Sequence, residues 1–140
     1  KNYDNNYIYQ LVKEAMLNGE INHSGDGEET REYIHAIDAA KLSVDVIESE
    51  DFNNLHIILT GSERMKRIYL FKMINEILNN TLSINCSNNG EYIDHYRFTP
   101  YEFSSTTSKK LTPNPHIDMG QGLLDCVKSI NNLKNEYSSD

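Results

Sequence analysis

Residues 25–38 constrain this chain more than any other stretch. The run Gly25-Asp26-Gly27-Glu28-Glu29-Thr30-Arg31-Glu32-Tyr33-Ile34-His35-Ala36-Ile37-Asp38 joins a turn, a strand and a helix start without slack. Two glycines around an aspartate signal the turn. Arg31 to Ala36 reads as a strand. Asp38 stands where an N-cap would, ahead of the apolar-periodic residues Ala39, Ala40, Leu42, Val44, Val46 and Ile47.

The flanking sequence extends this alternation. Ile8, Leu11, Val12, Ala15 and Met16 follow helical spacing after an Asn-rich lead-in over 1–6, and Gly19 is placed to end that helix. Glu20 to His23 predicts a short strand. Leu55 to Thr60 is a continuous apolar run of strand length, consistent with burial. Gly61-Ser62 closes it, with Ser62 as the predicted cap of a helix carrying Leu70, Ile74, Ile77 and Leu78. Asn79-Asn80 ends that helix. Leu82, Ile84 and Cys86 alternate like a half-buried strand, Ser87 to Gly90 is a loop, and Tyr92 to Phe98 is another strand. Thr99 to Pro115 reads as irregular. Asp118 with Gln121 resembles a capping box before a last helix with Leu123, Leu124, Val127, Ile130 and Leu133 on its apolar face.

The expected architecture is therefore α/β, or α+β as an isolated piece, with short strands alternating with about four helices. At 140 residues it reads as one domain spanning 1–140, able to bury a modest core. The mean hydropathy of −0.62 suits a soluble chain. No apolar run approaches the ~18 residues of a membrane span. A formal charge of −8 argues against duplex nucleic acid or an anionic membrane as partner. No cationic-then-apolar leader opens the chain, so a cytoplasmic location is expected. Lys1 in place of Met leads us to expect a cropped or processed start. Cys86 and Cys126 lack metal spacing and read as two reduced, partly buried thiols. The five scattered histidines give no metal pair at helical spacing.

The ordered pieces resemble the extended short-chain dehydrogenase/reductase family, the NAD-dependent epimerases and dehydratases of nucleotide sugars. The resemblance rests on His23-Ser24-Gly25-Asp26-Gly27, Arg31-Glu32-Tyr33-Ile34-His35, Asp38-Ala39-Ala40, Ile57-Ile58-Leu59-Thr60-Gly61-Ser62, Thr107-Ser108-Lys109-Lys110-Leu111 and Asp118-Met119-Gly120-Gln121-Gly122-Leu123. It covers most of the chain and places it in the C-terminal, substrate-binding portion. Two family features depart. The sequence holds no Gly-rich dinucleotide loop of the Rossmann type. Its Tyr-x-x-x-Lys string, Tyr9-Gln10-Leu11-Val12-Lys13, lies in the helix before the turn, whereas the family's catalytic pair comes well upstream. The resemblance thus implies a dinucleotide-binding half before Lys1, with NAD or NADP bound there and not by this chain alone. It implies no catalytic, cofactor-binding or metal residue here. Family enzymes often dimerise through helices of that other half.

For site residues the resemblance implies that Arg31 meets the diphosphate of a nucleotide sugar. An arginine suits this because its guanidinium is always charged and donates in a fork. Read from the residues alone, Arg31 is a surface arginine paired with Glu28 or Glu29. Arg97 is the second candidate for phosphate, its alternative being an edge-strand arginine facing water. Asn22 and Ser24 fall in the segment that contacts base and ribose, largely through the backbone. Tyr33 and Ile34 read as core, Asp38 as a cap and His35 as a hydrogen-bonded structural histidine. The other readings are a non-catalytic binding or assembly module on the same scaffold, and a different enzyme using Tyr9 and Lys13.

Overall fold

A computed structural model describes residues 6–87 and 108–137. Within them the chain is α+β, with four α-helices and six short strands. Helix α1 (Tyr7–Asn18) opens on an Asn6 side chain that accepts from the Tyr9 backbone N–H at 3.0 Å. It closes on Gly19, whose φ of 71° is the left-handed turn that an L side chain resists. Tyr9, Leu11, Val12 and Ala15 are its buried face.

Strand β1 (Glu20–Ser24) pairs in parallel with β5 (Ser83–Ser87), setting Ile21 opposite Ile84 and His23 opposite Cys86. Alternation is clean on β1, where Ile21 and His23 are buried and Asn22 and Ser24 exposed. Helix α3 (Arg67–Ile77) buries Leu70, Phe71 and Ile74 against them; Leu78 caps it, and Asn79 and Asn80, both with positive φ, turn the chain away. Helix α4 (Met119–Tyr137) adds Leu123 and Ile130. These elements supply the whole buried apolar core among the described residues. At about 1.5–3 kcal/mol per buried large side chain, they are the main source of stability.

Strand β2 (Thr30–Tyr33) runs antiparallel to β4 (Glu63–Lys66), with Arg31 opposite Met65 and Tyr33 opposite Glu63. Beyond it lie helix α2 (Ala36–Glu48), a 3-10 turn at Glu50–Phe52, and the parallel pair of β3 (His56–Leu59) with β6 (Ser108–Leu111).

Several sequence expectations are corrected. The 31–36 strand stops at Tyr33, because His35 caps α2: its Nδ1 accepts from the Ile37 N–H at 3.3 Å. Asp38 is therefore inside the first turn and only 2% exposed; its Oδ2 accepts from the Ile117 N–H at 2.7 Å. Ser62 caps no helix, since β4 intervenes and α3 starts after Lys66 without a side-chain cap. The 55–60 run is a four-residue strand with one exposed and three half-buried residues, because a two-stranded pair cannot cover it. Part of the irregular 99–115 stretch is β6. Asp118 does accept from the Gln121 N–H at 2.8 Å, but the Gln121 side chain turns to Asp125, so the reciprocal half of the capping box is not made. Leu124 and Leu133 are exposed. Both cysteines are free, and Cys86 is exposed where partial burial was expected. The 92–98 strand lies outside the described residues.

Candidate functional site

The Gly25–Glu29 turn is fixed from below. The Arg67 N–H donates to the Glu29 carbonyl at 3.0 Å, and the Ile68 N–H to the Gly27 carbonyl at 2.9 Å. Lys66 Nζ pairs with Glu28 at 2.5 Å. The Glu29 side chain turns inward, 1% exposed, and its Oε1 meets His23 Nε2 at 3.0 Å. The His23 ring stands edge-on to Phe71, centroids 5.2 Å apart, so the pair is seated on the core. Glu29 Oε2 has no hydrogen-bond partner among the described residues. Nothing in the sequence marks Glu29 as buried, since a Glu beside another Glu in a turn reads as solvated.

Arg31 follows on β2, half-buried, with Nη1 donating to the Thr30 carbonyl at 2.9 Å. Asn22 and Ser24 share the exposed face of β1, in a different sheet. Asn22 donates to Glu20 at 2.8 Å and accepts from Asn85 at 3.0 Å, a polar ladder across β1 and β5. The structure thus keeps Asn22 and Ser24 together and puts Arg31 on a separate strand pair. Arg97 lies outside the described residues.

A separate concavity lies elsewhere. A cleft of about 510 Å³ opens between the start of α1, the end of β2, the start of β4, the first turn of α2 and the first half of α4. Tyr9, Tyr33, Ile34, Ile37, Ile117 and Met119 give it apolar walls. Its polar groups work as caps and ties: besides Asp38, Glu63 accepts from the Met119 N–H at 3.3 Å and meets His116 Nε2 at 3.3 Å. Among the described residues, its lining includes none of Asn22, Ser24 and Arg31. Glycine is obligatory at one wall, because a Cβ on Gly61 would fall on the Tyr33 carbonyl. Burial pushes the Tyr33 phenol up to about 12, against the pull of the Arg67 and Arg31 guanidiniums, and its hydroxyl has no hydrogen-bond partner among the described residues. Tyr9 is buried in the core edge of the cleft, and Lys13 lies one turn further along α1.

A dinucleotide does not fit the glycine turn. Pyrophosphate binding uses a glycine loop that opens a helix N-terminus. Here the turn leads into β2, and the Glu29 carboxylate sits within 3.1 Å of the position a Gly25 Cβ would take. Among the described residues no group of three or more His, Cys, Asp or Glu could hold a metal ion. No described helix is long and apolar enough to cross a membrane. The sequence matches no protein-family model and has no significant match among curated proteins.

Proposed function

We propose that this chain is the substrate-binding portion of an NAD(P)-dependent nucleotide-sugar epimerase or dehydratase. The observation that carries the reading is the anchored turn. Four ties hold residues 25–29 to β1, β4 and α3, and Arg31 leaves that turn on a paired strand. A guanidinium on so fixed a base can meet a diphosphate with little ordering cost, which is what bidentate recognition of phosphate asks of a site. In this reading Arg31 takes the diphosphate, Asn22 and Ser24 lie along the base and ribose, and Arg97 is the second phosphate contact. The nicotinamide in such enzymes takes a hydride from a sugar carbon. That cofactor and the Tyr/Lys pair belong to a Rossmann half outside this chain, and this chain orients the nucleotide and sets sugar choice. A cytoplasmic location and a homodimer of the full-length enzyme go with the same reading.

Two measurements test it. Sequence upstream of Lys1 in the native gene product should encode a Gly-rich strand-turn-helix and a second Tyr-x-x-x-Lys; a product of this chain alone overturns the enzyme assignment. Calorimetric titration with UDP should show binding that Arg31→Gln weakens at least tenfold and Arg31→Lys weakens less. Equal binding by the Gln variant removes Arg31 from the site. A second reading, a non-catalytic assembly module, is favoured by one observation: no apolar residue of α2 is buried.

A further inference from the structure

Helix α2 carries Ile37, Ala40, Val44 and Ile47 at spacings of three, four and three, which is one stripe of an α-helix. The stripe faces outward: Ile37 is 52% exposed, Val44 50% and Ile47 83%. Its half-buried residues Leu42 and Val46 lie off the stripe, so the outward row is additional to what packs inward. A shallow hollow lined by Ile37, Ala40, Lys41, Val44 and Asp45 follows the stripe, and Ile37 also lines the large cleft. Stripe and cleft are one continuous apolar surface. From Ile37 to Ile47 the row rises through ten residue steps, or about 15 Å at about 1.5 Å per step.

The charge around this surface is one-sided. Among the described residues the cleft lining contains Asp38, Glu63, Asp118 and Asp125 and no Lys or Arg. Asp45 and Glu48 flank the stripe with Lys41 as the cation beside them. Asp38, Glu63 and Asp118 bond mainly to backbone N–H groups, with His116 beside Glu63, and Lys128 Nζ lies 3.9 Å from Asp125, so the negative field of the described rim is only partly offset. A second copy brought stripe to stripe would bring up the same flank, with the two carboxylates Asp45 and Glu48 to one Lys41, and so would add net like charge to the interface.

We propose that the α2 stripe and the adjoining cleft are a docking surface for an amphipathic helix of a protein partner, apolar on one face and flanked by Lys or Arg. A helix packing ridges into grooves matches the spacing of the row, and basic flanks complement its acidic rim. The inference does not depend on the nucleotide-sugar reading.

The test uses the full chain and two synthetic 14-residue amphipathic peptides, one built of Leu and Lys, the other of Leu and Glu. Fluorescence anisotropy should show saturable binding of the Leu/Lys peptide only, weakening at least tenfold between 50 and 300 mM salt. Val44→Asp and Ile47→Asp should each weaken it at least fivefold, with melting temperature and circular dichroism unchanged, and Leu17→Asp on exposed α1 should not. The aspartate variants make the test sharp, because purely electrostatic capture would strengthen with an added negative charge. Undiminished binding by Val44→Asp overturns the proposal. So does equal binding of the Leu/Glu peptide, or sedimentation showing a dimer that Val44→Asp dissociates.

Discussion

Two regions of this molecule are held together by different physics. The body, made of α1, β1, β5, α3 and α4, owns every buried apolar side chain among the described residues, from Val12 to Phe71 to Ile130. The wing, made of α2, β3 and β6, owns none, and the one buried residue of α2 is an aspartate. What fixes the wing is directional bonding. Asp38 holds the Ile117 N–H. Glu32 on β2 accepts from Thr60 Oγ1 and from Lys110 Nζ, both at 2.7 Å, with Arg64 at 3.8 Å. Lys109 sits 4.8 Å over the Phe52 ring. Hydrophobic burial makes a body stable without specifying much, whereas a few short polar bonds specify a geometry while adding little net energy. The wing is thus shaped without being closed.

The comparison can be broken at several points. Phe71→Ala, in the centre of the body, should cost about 3–5 kcal/mol in urea unfolding and melt the whole chain. A loss under 1 kcal/mol would mean the body is not the stabilising unit. Asp38→Ala should cost about 1–3 kcal/mol, because the half-buried Ile117 N–H loses its carboxylate acceptor; hydrogen exchange should locate the loss at the start of α4 and in α2. The clamp at Glu32 should give a pH signature. Burial raises its pKa, but Lys110, Thr60 and Arg64 together outweigh that and hold it below the ordinary glutamate value. A depressed folded pKa contributes stability that is present above the unfolded value and is lost as pH falls through the folded one. Stability measured from pH 6 down to pH 3 should therefore fall more steeply in the wild type than in Glu32→Gln. Parallel slopes would remove the clamp from the account. The smallest effect is expected at Ile47→Ala, within about 0.5 kcal/mol, since that side chain is already in water.

Much of the body was legible from the sequence. Apolar spacing located α1, α3 and α4, and Gly19 and Asn79-Asn80 marked two of their ends, because both signals are local. The misses follow from non-local partners. Glu-Arg-Met-Lys at 63–66 and Ser-Lys-Lys-Leu at 108–111 have no strand pattern of their own; each is extended because a neighbour offers its edge. Asp38 reads as a cap by every local rule, yet its partner Ile117 is 79 residues away. The site was legible only in outline. Arg31 and the turn before it stand out in the sequence, but the buried pairing of His23 with Glu29 does not. The cleft is assembled from four separated segments that no motif connects.

The parallel pairing of β1 with β5 has a kinetic side. Glu20 faces Ser83, so β1 closes its ladder with residues 63 positions later. Closing a loop of that length costs a few kcal/mol of chain entropy before any packing repays it. On a ribosome adding about 5–20 residues per second, β1 waits roughly 3–12 s for its partner. For most of that interval, until α3 is made, α1 is the neighbour among the described elements that can shelter Ile21. Until β5 is made, β1 therefore keeps an open edge beside α1, exposed to pairing with other chains.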